Sequence, residues 1–237
     1  HVYAIPWTGD TRGLYWNRAV FKEKAKELRA AGLDPARPPR TWCETLAYSK
    51  VLTEFEPNGA LKRAGFMPNF GNSWLYMYAF QNNASFMSED GRTCTLNTPE
   101  SREALQFMVD GYRILGGMDN SEKFRLGLKG EESDAFFTGQ IAMKIDGDWF
   151  LSGVGRYAPG LDFGVAPPPI PDDRYYGRGR FVNETDKFIT WAGGFCTVIP
   201  KGARNKETAW EFIKHISSTE MRILERESYA KLQREQG

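Results

Sequence analysis

Asp146-Gly147-Asp148-Trp149 puts two carboxylates and a large aromatic side chain within one short stretch. Two carboxylates about 5–10 Å apart can cleave a glycosidic bond, one acting as acid and the other as nucleophile or base. Residues two apart on a strand point to the same side and can come that close. Asp146 also has a simpler use, shaping the turn at Gly147. Trp149 suits binding without reaction. An indole lays its apolar face on the C–H face of a sugar, while nearby carboxylates and amides take the hydroxyls. The same ring could instead pack a helix onto a sheet, and the spacing leaves both readings open. Other reactive types are sparse. Neither the two histidines, His1 and His215, nor Cys43, Cys94 and Cys196 show a zinc-binding spacing. An odd thiol excludes a fully paired scaffold, and nothing brings two cysteines together, so no disulfide is expected. The glycines of "GVGRYAPG" are too irregular for a nucleotide fingerprint. No cofactor is implied.

The elements that must position these residues follow from the pattern. Ile141–Asp146 is an apolar run between Gly139 and Gly147, which predicts a partly buried strand. Phe21, Ala25 and Leu28 recur at helical spacing and predict one helix over 18–31, stopped by Gly32. Thr41-Trp42-Cys43-Glu44 reads as a capping box, with Glu44 reaching back to the cap. Asn72 or Ser73 caps a helix that carries Trp74 in its first turn. Asp90-Gly91 marks a hairpin that holds Cys94 as a small apolar filler. Asn97 or Thr98 caps a further helix, with Pro99 at its first position. Asn205 caps a helix over about 205–217, with Ala209, Trp210, Phe212 and Ile213 inside it and Phe212 taken as a core residue. The 237 residues are 41% hydrophobic and 26% charged, enough for one large core or two lobes. A formal net charge of +1 provides no field for nucleic acid or an anionic membrane. No apolar run approaches the length of a membrane span.

Several of these stretches carry a resemblance. "FFTGQIAMKIDGDWF", "AGLDPARPPRTWCETL", "DGRTCTLNTPE" and "WAGGFCTVIPKGARNKETAWEFIKHI" resemble, in order, the extracellular solute-binding proteins of ATP-driven importers. The likeness is to the sugar-binding branch that includes the maltose- and maltodextrin-binding proteins. It implies an α/β, type II periplasmic-binding-protein-like fold. On that pattern residues 1–10 are hinge and first-lobe strand, 11–187 the second lobe, and 188–237 the return into the first lobe. It implies that Trp149 and Trp74 stack on sugar, that Asp10 accepts sugar hydroxyls, and that Trp191, Gly193 and Gly194 border the ligand. Trp7, Arg12 and Asp148 are further candidates. Asp10 can equally be a turn former before Gly13, and the glycine pair a bulge.

The opening "HVYAIPW" reads as a strand already in progress. The resemblance therefore implies a piece of the family fold, mostly second lobe plus hinge and part of the first. Its opening lobe segment and final helices, the remainder of its own fold, would be missing. The implied function is capture of a mono- or oligosaccharide outside the cytoplasmic membrane, by a secreted or lipid-anchored protein, and delivery to the permease subunits of an ABC importer. Neither catalysis nor a nucleic-acid partner is implied. Glycoside hydrolysis through Asp146 and Asp148, or adhesion on the same fold, are the alternatives.

Overall fold

The computed structural model describes residues 3–71, 73–128, 130 and 134–236. The chain forms two compact units, Arg12–Trp191 and the segments flanking it on either side. It begins with β1 (Ile5–Pro6) and β2 (Asp10–Asn17). Asn17 then caps α1 (Arg18–Glu23) by accepting from the Val20 amide. The predicted helix over 18–31 is broken at Lys24, which separates α1 from α2 (Ala25–Ala30). Periodicity did not show the break because Phe21 and Leu28 are both fully buried on either side of it.

A Pro-rich connector leads to α3 (Trp42–Leu52), capped by Thr41, whose hydroxyl accepts from the Glu44 amide. The reciprocal half of the expected capping box is absent. Glu44 instead accepts from the Arg40 amide at 2.8 Å and from the guanidinium groups of Arg37 and Arg40. Burial alone would raise the Glu44 carboxyl, but these donors outweigh it and hold the group down at about 2. Asp172, far along the chain, completes the cap by accepting from the Thr41 hydroxyl and the Cys43 amide.

The strands β3 (Glu54–Phe55) and β4 (Leu61–Gly71) follow, then α4 (Leu75–Gln81), α5 (Pro99–Ile114) and α6 (Met118–Leu126). Trp74, not Ser73, is the N-cap residue of α4, and Asn72 lies outside the described residues. Next come β5 (Ile141–Gly147), α7 (Phe150–Tyr157), β6 (Phe163–Ala166) and α8 (Asp172–Tyr176). These strands form one sheet in the order β3-β4-β5-β2-β6. β4 runs parallel to β5, while β2 is antiparallel to both β5 and β6. Alternation along β2 sends Leu14 and Trp16 into the core under α3, α4 and α5, and Tyr15 into a second cluster with Phe136, Phe150 and Val154. β5 is covered on both faces and buried at every residue, more deeply than the predicted half-buried strand. Gly65 lets β4 approach α3 closely, since a Cβ there would fall 2.3 Å from the Ser49 carbonyl oxygen.

The flanking unit contains β7 (Ala192–Gly193), β8 (Cys196–Thr197), α9 (Lys206–Ile216) and α10 (Thr219–Gln236). β1 pairs antiparallel with β8, and Asp10 and Thr11 pair with Gly193 and Ala192. The two closing helices correct the expectation that the chain lacks its final helices. Phe212 on α9 is 60% exposed and not a core residue, and Cys94 is exposed rather than a filler. All three cysteines are free.

Candidate functional site

β4 and β5 are parallel neighbours and end at the same edge of the sheet, at Gly71 and Gly147. In open α/β sheets ligands bind beyond the carboxyl ends of such strands. A tryptophan stands just past each end. Trp74 and Trp149 are each 46% exposed, unusually open for rings of that size. β2 begins at this edge too, with Arg12 opposite Gly147.

The pose of Trp149 is set by its neighbours. Its indole lies against the Gly147 α-carbon, where an added Cβ would come within 1.9 Å of the ring. The Arg12 guanidinium sits 4.7 Å from the ring centroid, a cation–π contact. The turn beneath is fixed at both ends. The Tyr15 hydroxyl donates to the Gly147 carbonyl at 2.9 Å, and the Gly147 amide donates to Asp146 Oδ1 at 2.9 Å. Burial, with the nearby charges of Asp146 and Asp148, pushes the Tyr15 phenol up to about 12, so it remains a donor at neutral pH. Asp146 is buried and engaged by this amide and by Lys144. Asp148 is exposed beside Trp149.

Trp74 borders an open hollow of about 710 Å³, lined also by Asn69, Phe70, Gly71, Arg125 and Asp134. Asn69 Oδ1 is buried with no hydrogen-bond partner among the described residues, an acceptor suited to a ligand hydroxyl. Behind the wall lies Lys144, 2% exposed in the middle of β5. Its Nζ is 3.2 Å from Asp134 Oδ2 and 2.9 Å from Asp146 Oδ2. Phe150 and Phe70 flank the ammonium at 3.8 and 5.3 Å from their ring centroids.

The structure divides the sequence candidates between the units. Arg12, Trp74, Asp148, Trp149 and Trp191 belong to Arg12–Trp191; Trp7, Asp10, Gly193 and Gly194 belong to the flanking unit. Trp191 packs against α4, 4.7 Å from the Tyr76 ring and parallel to Phe80. Asp10 pairs with Gly193 across β2 and β7. Gly194 has φ 142°, and a Cβ there would collide with the Thr8 carbonyl, so only glycine fits. Trp7 is covered by the Arg222 guanidinium at 4.3 Å. Asn69, Arg125, Asp134 and Lys144 escaped the sequence reading. A lysine inside an apolar run was the one available signal. No cluster of three or more His, Cys, Asp or Glu residues able to hold a metal occurs among the described residues, and no helix among them is long and apolar enough to cross a membrane.

Comparison with known proteins agrees with this architecture. The family model of the bacterial extracellular solute-binding proteins matches residues 2–223. A curated relative, the sn-glycerol-3-phosphate-binding periplasmic protein UgpB of Salmonella typhimurium, is 28% identical over 185 residues, covering 73% of this chain and 37% of its own. Among solved structures, CpMnBP1 with mannobiose bound is 27% identical with a TM-score of 0.71, over 93% of this chain and 51% of that one. A solute-binding protein of Thermotoga lettingae bound with α-D-tagatose is 23% identical with a TM-score of 0.65, over 95% and 52%. The chain thus spans about half the length of these solved structures and 37% of the curated relative. The family match runs through both units, and α9 and α10 are present. Both observations overturn the expectation of a piece consisting mostly of the second lobe and lacking its closing helices.

Proposed function

This chain belongs to the family of bacterial extracellular solute-binding proteins, and from that premise we propose that it is the carbohydrate-binding component of an ABC importer. It captures a mono- or oligosaccharide outside the cytoplasmic membrane, as a secreted or lipid-anchored protein, and hands it to permease subunits. The observation that carries this reading is the pair of half-exposed tryptophans beyond the ends of two parallel strands. Trp149 and Trp74 offer apolar faces to sugar rings. Asn69, Asp134 and Asp148 supply polar partners for hydroxyls, with Arg12 steadying the Trp149 ring. Trp191, Asp10, Trp7, Gly193 and Gly194 are secondary candidates, carried by the family resemblance. Binding of this kind involves no reacting group.

The likeness to a glycerol-phosphate-binding relative raises a second reading, a phosphate ester, which Arg12 and Arg125 could attract. Titration calorimetry with mannobiose, tagatose and sn-glycerol 3-phosphate separates the two. Saturable heat with a neutral sugar, weakened in Trp149→Ala and Trp74→Ala proteins that melt normally, is the expected result. Binding of the ester alone, or sugar binding that ignores both tryptophans, would overturn it.

A further inference from the structure

A lysine buried in the middle of a strand needs a counter-charge, because desolvating an unpaired ammonium is costly. One carboxylate would serve. Lys144 has two, Asp134 and Asp146, at 3.2 and 2.9 Å. They differ in outlook. The Asp146 side chain is 9% exposed and tied to the Gly147 amide, whereas that of Asp134 is 20% exposed and lines the hollow beside Trp74. Asp134 comes from the loop before β5 and is held in place by the Phe136 amide on its other oxygen. The surplus negative charge of the cluster therefore faces the hollow. Arg125, the other charged side chain lining the hollow among the described residues, is accompanied by Glu122 at 3.8 Å.

We propose that the Asp134–Lys144–Asp146 cluster sets the charge selectivity of this site, admitting neutral polyols and turning away phosphate esters. This rests on the placement of the ligand at the strand ends argued above. The cluster carries one cation and two anions, a net charge of −1, and the neighbouring Arg125–Glu122 pair adds none. A phosphate entering the hollow meets this excess across a short, poorly screened distance, while a sugar hydroxyl meets a carboxylate that accepts its hydrogen bond. The Phe70 and Phe150 rings lie within 5.3 and 3.8 Å of the ammonium and give it apolar surroundings.

Asp134→Asn and Asp146→Asn each bring the cluster to zero, and the double variant brings it to +1. At low ionic strength the affinity for sn-glycerol 3-phosphate should rise about tenfold for each carboxylate removed, and the gain should shrink with added salt. Lys144→Met in the Asp134→Asn background returns the cluster to −1 and should abolish the gain, which a change of shape alone would not do. Thermal melts identify variants that fail to fold, and the two single variants substitute for each other. An unchanged ester affinity in a folded single variant, or a wild-type protein that prefers the ester, overturns the proposal. The carbohydrate reading is scored separately by the wild-type response to neutral sugars. A protein deaf to sugars whose Asp134→Asn variant gains the ester would lose that reading and keep the charge rule.

Discussion

Replacing Gly147 by alanine isolates the Trp149 platform with a single methyl group. The new Cβ would sit 1.9 Å from the indole and 2.2 Å from two further ring atoms, far inside contact distance. The backbone itself can accept alanine, because Gly147 is not among the positive-φ glycines. The ring is the part that gives way, and at 46% exposure it can swing into solvent. Stability should therefore fall little, by less than about 1 kcal/mol. Binding should suffer more. An exposed fraction of 46% on a side chain of roughly 250 Å² leaves about 115 Å² open, and a sugar covering half of it buries about 55 Å². At about 25 cal/mol per Å² that is ~1.4 kcal/mol, a tenfold weakening. Trp149→Ala should cost about the same, and the double variant no more than either single change, because both remove one platform. Calorimetry with a bound neutral sugar and parallel melts give all four corners of the cycle. Additive losses, or Gly147→Ala binding normally, would refute the placement of the ring over Gly147.

Further outcomes follow from other sites. The Glu44 carboxyl is held at about 2 against an ordinary 4.5, so its stabilising contribution is complete above about pH 5 and lost as pH falls through 2. Acid melts should show Glu44→Gln losing the part of the wild-type slope between pH 5 and 2, worth about 1–2 kcal/mol once solvent screening of this partly exposed ion pair is allowed for. Gly65→Ala places a methyl group 2.3 Å from the Ser49 carbonyl, which is backbone and cannot step aside, so denaturant unfolding should show a loss above about 2 kcal/mol. Phe66→Ala, at a fully buried residue, should cost about 3–5 kcal/mol, and Phe212→Ala, at a mostly exposed one, less than about 1 kcal/mol by the same measurement.

The parts of the fold legible in the sequence are those in which local chemistry suffices. The run from Ile141 ends where Gly147 ends it, and Thr41 caps α3 as its side chain requires. What escaped depends on residues distant in the chain. Lys144 shows in the sequence only as a charge inside an apolar run, and its partners Asp134 and Asp146 emerge only in the fold. Asn69 and Asp134 share a hollow only because β4 and the loop before β5 meet there. Glu44 turns to Arg37 and Arg40 rather than back to its cap because a bidentate ion pair is the stronger bond. Phe212 was misplaced because helical spacing identifies an apolar stripe without saying what covers it.

Strand order also governs when the molecule can assemble. β2 lies between β5 and β6, and its Tyr15 hydroxyl bonds a carbonyl 132 positions further along. At about 5–20 residues per second, a ribosome needs roughly 7–26 s to deliver that partner. During this interval the central strand has no neighbour and the parent sheet cannot close. Such distant pairings also make folding slow once the whole chain is free.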